Sequence, residues 1–317
     1  MNHSTSRSGG LKATTSDNST LVAFLLMVLF GGGNAVAIRL SNFGLPPFWG
    51  VATRVATAML IFWVIVLVRR TALPRGRALI GAMLYGTLLL VLGGGLLYWS
   101  LVRVPAGLGA TILALSPLVT LFLAWGHGLE QLRWRGVVGA LVATAGVAIG
   151  VAGGFGGSVH VMSVLAAVAA TVAIAEAGVV IKLFPRGDSM ATNAVAMTTA
   201  APILFVLSWL AGERWILPAT PTTWAAFGYL VVIGSVVQFN LYLHVLSHWT
   251  ASRASYAFLI TPVATVILAV LVLGEGISAG FLIGTALVLA GVWLGAIQSP
   301  PKEPELACPK LPTRAVC

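Results

Sequence analysis

The chain has 317 residues, of which 58% are hydrophobic and 8% charged, with a mean hydropathy of +0.99. That composition excludes an ordinary soluble domain and makes lipid the main solvent. The formal net charge of +10 does not mark a nucleic-acid binder, because lysines and arginines sit a few at a time between apolar runs and form no basic stripe.

A Ser/Thr-rich leader (1–19), read as disordered, is followed by ten apolar segments, each long enough to cross about 30 Å of hydrocarbon as a helix. The first (21–41) is too long for a signal-peptide core and reads as a retained helix. It holds Gly31-Gly32-Gly33-Asn34, where glycines permit close helix packing or a local break, with Asn34 near mid-depth as a candidate substrate-binding group. The second (47–68) carries Arg54 roughly 10 Å along the helix from its outer end. The third (78–99) contains Tyr85, Gly93-Gly94-Gly95, Tyr98 and Trp99; the aromatics can stack on a ligand or serve as interfacial belt residues. In the fourth (105–126), Pro117 is expected to bend the helix by removing a backbone hydrogen bond. Glu130 follows at its end as a turn or capping group, and the fifth (135–153) carries Gly139 and Gly146 on one face.

The sixth (161–184) contains Glu176, the one carboxylate well inside a span, about 24 Å along the helix from its outer end. A charge there costs on the order of 3 kcal/mol on insertion scales, so Glu176 is read as a cavity-facing proton-coupling or amine-binding group, against a structural hydrogen bond as the plainer reading. Arg54 lies too far from it in depth to be its partner. The seventh span is 191–211. The eighth (222–246) is the most polar, with Ser235, Gln238 and Tyr242 along one face and Asn240, His244 and Ser247 along roughly the opposite one. Only one stripe can face a cavity. The ninth (252–273) repeats the pattern of the fourth, with Tyr256 as a ligand-stacking candidate and Pro262 as a second bend. Glu275 and the tenth span (278–297), with Gly284 and Gly291, precede a polar tail (299–317) that holds both cysteines, Cys308 and Cys317. No disulfide framework or CxxC metal set is present.

Residues 101–150 and 246–295 align without a gap at an offset of 145, with twelve identical pairs. These include the scarce matches Pro117–Pro262 and Glu130–Glu275. The chain is therefore read as a tandem duplication, 20–153 and 154–298. With the N-terminus inside, fourteen of the eighteen lysines and arginines fall on the cytoplasmic side, which predicts both termini in the cytoplasm. Five spans per repeat is an odd number, so the halves must be inverted about an axis in the membrane plane. The expected fold is all-α, ten transmembrane helices in two inverted five-helix repeats. Spans without cysteine, HExxH, a second acid beside Glu176 or a GxxxxGK[ST] loop argue against an enzyme, a metal site, a cofactor and a nucleotide-driven pump.

The chain resembles the EamA family of the drug/metabolite transporter superfamily. Gly31 to Asn34, Pro46-Pro47 with Arg54, Leu101 to Ala106, Leu115-Ser116-Pro117 and Leu129-Glu130 carry the likeness. So do Gly139 with Ala145-Gly146-Val147, and the second-half segments Ile260-Thr261-Pro262, Gly274-Glu275 and Ala290-Gly291-Val292. The resemblance implies a bacterial inner-membrane exporter of amino acids and other small metabolites, driven by the proton gradient. It also implies a central cavity lined by helices 1, 3, 4, 6, 8 and 9. Glu176 departs from the family pattern, where this position is neutral or aromatic. The expected activity is export of an amino acid, with aromatic and bulky apolar ones favoured, Gln238, Asn240 and Asn34 binding the zwitterion and the aromatics its side chain. Proton-coupled efflux of lipophilic cations is the rival reading. The expected partners are a small-molecule substrate and the bilayer, with the protein a monomer or a homodimer.

Overall fold

A computed structural model describes residues 10–129, 131, 134–152, 160–274 and 276–294. The expectations for Glu130, Glu275, Cys308, Cys317 and the C-terminal tail fall outside the described residues. Ten helical passes follow one another, and no strand occurs among the described residues. They are α1 (Ser19–Asn42), α2 (Pro47–Arg69), α3 (Arg77–Ser100), α4 (Ala106–Gly126), α5 (Trp134–Ala152), α6 (Val161–Leu183), α7 (Ser189–Leu210), α8 (Pro221–His248), α9 (Ala251–Leu273) and α10 (Ala279–Val292). Eight are at least 18 residues long and apolar enough to span a bilayer; the apolar stretches of α5 and α10, Trp134–Gly150 and Ala279–Val292, are shorter. The first helix extends back to Gly10, into the stretch read from sequence as leader. Outward faces carry exposed Leu60, Val64 and Leu67 on α2, as lipid-facing helices require.

Neighbours repeat under the exchange of helix n with helix n + 5. Helix α1 packs on α9 and α8, and α6 packs on α4 and α3, while α2 pairs with α7 and α5 with α10. Two cations obey the same exchange. Arg39, at the end of α1, donates to Val104 O before α4 at 2.5 Å, and Lys182, at the end of α6, donates to Leu246 O and Trp249 O before α9. Val104 and Trp249 are 145 residues apart, the offset of the duplication. Each hook ties a helix end to the loop that leads into the fourth helix of its own repeat.

The recurrent glycines of α5 and α10 serve contact within the chain. An added Cβ at Gly284 would stand 2.5 Å from Gly146 O and 2.6 Å from Gly150 N, and one at Gly291 would stand 2.6 Å from Gly139 O. The two backbones touch where only hydrogen fits.

The N-terminus of α2 is held by an acid distant in sequence. Glu213 accepts from Phe48 N at 3.0 Å, from Trp49 N at 2.6 Å and from the Ser208 hydroxyl at 2.8 Å, while Trp49 stacks on Trp215 at 5.1 Å. A carboxylate at orphan first-turn amides is favoured by hydrogen bonding and by the helix dipole. Glu213→Ala is therefore expected to lower stability by about 1 kcal/mol, read as a reduced melting temperature in detergent; an unchanged melting temperature would show that the cap contributes nothing.

Candidate functional site

Breaks in helix regularity converge in the middle of the bundle. Helix α1 opens at Gly33, and carbonyls of the turns before the break accept from side chains of the second repeat. Gln238 Nε2 donates to Met27 O at 3.1 Å, the Tyr229 hydroxyl to Phe30 O at 2.5 Å and the Thr265 hydroxyl to Gly32 O at 2.8 Å. Irregular backbone at membrane depth persists where such groups satisfy it. Helix α3 widens to a π-helical stretch at Thr87–Gly94, and α8 does the same at Val232–Val237. Thr87 and Val232 are again 145 apart. Helix α4 is interrupted at Ala114 and Leu115, just ahead of Pro117, whereas α9 is interrupted at Tyr256 and Pro262 lies within its continuous part.

Between the repeats these segments enclose a cavity with about 130 Å³ open to the centre of a water molecule. Helices α1, α2, α3, α4, α6, α8 and α9 line it, so α2 joins the set that the resemblance implied. Its wall is mainly apolar, with the aromatic residues Tyr98, Phe239, Tyr242 and Phe258 in it. Arg54 is the one charged side chain among the described residues that line it.

Arg54 is 7% exposed. Its Nε donates to Ser235 Oγ at 2.8 Å, Nη2 to Gly234 O at 2.7 Å and Nη1 to the Tyr98 hydroxyl at 3.4 Å. The guanidinium carbon lies 5.9 Å from the ring centres of both Tyr98 and Phe239. The π-helical stretch explains the site: the Ser235 hydroxyl reaches back five residues to Leu230 O, and Gly234 turns its carbonyl to the guanidinium. An ionised arginine at this depth costs about 2.5–3.5 kcal/mol on insertion scales. Hydrogen bonds from a charged donor, worth about 1.5–3 kcal/mol each, offset that cost. All three partners are neutral, so the charge itself is not cancelled.

Two amide oxygens of lining residues have no partner. Asn34 Oδ1 and Gln238 Oε1 are buried and accept no hydrogen bond from the protein. A Cβ added at Gly234 would collide with Asn34 Oδ1 and stand 3.1 Å from Arg54 Nη2, and one at Gly31 would stand 3.3 Å from Gln238 Nε2. Glycine at these two places leaves room for Asn34 beside Arg54 and for the Gln238 amide.

Glu176 has a neighbour that its helix alone could not supply. Its Oε1 lies 3.2 Å from Nε2 of His127, at the end of α4, and the carboxylate does not line the cavity. His127 Nδ1 sits 2.9 Å from Leu123 O and must be the donor there, because a carbonyl only accepts. His127 Nε2 is thereby turned toward the Glu176 carboxyl group.

Two inverted, contiguous repeats with a cavity between them are the architecture of a secondary transporter. Residues 18–151 and 161–296 each match the EamA-like transporter family. The chain belongs to that family. Among similar proteins, the Uncharacterized inner membrane transporter YedA of Escherichia coli (strain K12) is 27% identical over 260 residues, 81% of this chain and 83% of that one. The Uncharacterized transporter YvbV of Bacillus subtilis (strain 168) is 28% identical over 195 residues, covering 60% and 63%. The Probable terminal-alkyne amino-acid exporter of Streptantibioticus cattleyicolor is 30% identical over 213 residues, covering 63% and 67%. A solved crystal structure superimposes with a TM-score of 0.64 at 22% identity over 88% of this chain and 97% of that chain, a likeness of fold.

As an EamA transporter the chain brings together only part of the residues singled out from sequence. Asn34, Tyr98, Gln238 and Tyr242 line the cavity, so the stripe of α8 that faces it is Ser235, Gln238 and Tyr242. Asn240 and His244 lie off it, and His244 packs on His248 with ring centres 4.6 Å apart. Tyr85 is fully buried behind the wall with its hydroxyl unpartnered, and Trp99 and Tyr256 are half-buried outside it. Arg54, read from sequence only as part of the family likeness and as too far in depth to pair with Glu176, is the most polar group in the cavity. A buried arginine one-third along an apolar helix was the available signal.

Proposed function

We propose that this EamA transporter exports amino acids, aromatic and bulky apolar ones among them, from the cytoplasm across the bacterial inner membrane by alternating access of its two repeats. The observation that carries this reading is the cavity itself: apolar and aromatic walls sized for a small molecule, with one cation, Arg54, set among them. A zwitterion with an apolar side chain matches that division. The relative named as a probable terminal-alkyne amino-acid exporter supports the substrate class, and the positive-inside distribution supports cytoplasmic termini. Efflux of lipophilic cations is disfavoured, because a cation about 6 Å from Arg54 at an effective dielectric of about 20 is repelled by roughly 3 kcal/mol. The Glu176–His127 pair is the proposed coupling site.

The test is uptake of labelled amino acids by inside-out proteoliposomes, with and without an acidic lumen. Saturable uptake of phenylalanine or a branched member, accelerated by the acidic lumen, is the expected result. The Glu176→Gln variant is expected to transport at a rate that no longer responds to lumenal pH; an unchanged response removes Glu176 from the mechanism. No uptake of any amino acid by folded protein would overturn the substrate assignment.

A further inference from the structure

We infer that Arg54 selects for a substrate carboxylate, which makes the cargo an acid bearing a single negative carboxyl group and excludes its amide, ester and decarboxylated amine. This rests on the export reading above and narrows it to one bond. The guanidinium has five N–H donors, of which three are spent on Ser235, Gly234 and Tyr98, leaving two. Those three bonds fix its plane and orientation, and the flanking rings of Tyr98 and Phe239 hold it from the sides. No carboxylate pairs with it among the described residues, although a buried cation in an apolar cavity is stabilised most by an anion.

A planar group with fixed orientation, spare donors and an uncancelled charge is complementary to a carboxylate, which accepts two parallel hydrogen bonds. The count of charges argues against a phosphate ester. Arg54 is alone among the described lining residues in carrying charge, so one negative charge balances the site and two would leave an excess in an apolar enclosure. Asn34 Oδ1, which shares the space beside Gly234 with Arg54 Nη2, accepts hydrogen bonds and cannot donate, so it offers nothing to a second anion.

Arg54 also bridges the repeats. It belongs to α2 of the first half and is held by Ser235 and Gly234 of the second. A carboxylate bound there contacts a group whose position depends on both halves, so the same contact that selects the substrate reports on their relative placement.

The experiment is competition against labelled phenylalanine uptake in inside-out proteoliposomes of the full chain. The competitors are unlabelled phenylalanine, phenylalaninamide, phenylalanine methyl ester and phenethylamine. On wild-type protein the three compounds without a carboxylate are expected to compete at least roughly tenfold more weakly than phenylalanine, the effect of losing one charge-assisted contact. Arg54→Gln is expected to raise KM for phenylalanine by roughly tenfold or more and to abolish the preference over phenylalaninamide, with Arg54→Lys recovering part of the preference. Equal competition by the amide and amine on wild-type protein overturns the inference while the export reading stands. Retained preference in Arg54→Gln does the same. Failure of wild-type protein to transport any amino acid overturns both. Because the wild-type competition series needs no variant, a failure of Arg54→Gln to fold leaves the inference decided by that series.

Discussion

Gly234→Ala is expected to reduce the transport rate roughly tenfold or more while the protein still folds and inserts. The new methyl group would be driven into Asn34 Oδ1 and would stand 3.1 Å from Arg54 Nη2, the atom that Gly234 O receives at 2.7 Å. Three groups must separate to admit it. The position favours alanine as a helix former by about 1 kcal/mol, against an overpacking cost of about 1–3 kcal/mol, so net stability changes little. The site bears the change: the guanidinium loses its fixed plane and Asn34 is displaced. A shift of about 1.4 kcal/mol in binding is tenfold in affinity. Initial uptake rates and the melting temperature measured on the same preparation separate the two effects. Wild-type transport in Gly234→Ala would mean that Asn34 and Arg54 are not held as a unit.

Gly284→Val is expected to act on the fold instead, lowering stability by about 3 kcal/mol, at the upper end for overpacking. It lies outside the cavity lining, where α10 crosses α5. An added Cβ there faces Gly146 O at 2.5 Å, Gly150 N at 2.6 Å and Gly150 Cα at 2.7 Å. Each of these is backbone, which cannot rotate away as a side chain would, so the helices must part. Lipid supplies no hydrophobic force to hold them together, and close packing is what joins them. A thermal melt in detergent and the yield of folded protein check this. A melting temperature equal to wild type would show that the pair tolerates separation and that these glycines are not its means of contact.

The residues decided a good deal before any helix was placed. Hydropathy is a sum of single-residue transfer energies, so the spans were legible one by one, including α5 and α10, which the structure keeps short and apolar. The offset of 145 is likewise a property of the chain in one dimension, and it reappears in three: as the paired helix contacts, as the hooks at Val104 and Trp249, and as π-helical stretches beginning at Thr87 and Val232. The polar character of α8 was visible too, as two stripes of comparable strength.

What the chain alone left open were questions of adjacency and rotation. Which stripe of α8 turns inward depends on how α8 packs against α1 and α2, and that packing selects Ser235, Gln238 and Tyr242 over Asn240 and His244. Depth along a helix separated Arg54 from Glu176 correctly, yet depth says nothing about a carbonyl on another helix. The partners of Arg54 are 180 and 181 residues away, and Gly234 O is presented by a widened turn that no propensity marks. Glu176 met His127 only because α6 packs on α4. Transfer free energy belongs to single residues and was readable from them, whereas a polar contact belongs to a pair, and the pair exists only once two helix faces have been turned toward each other.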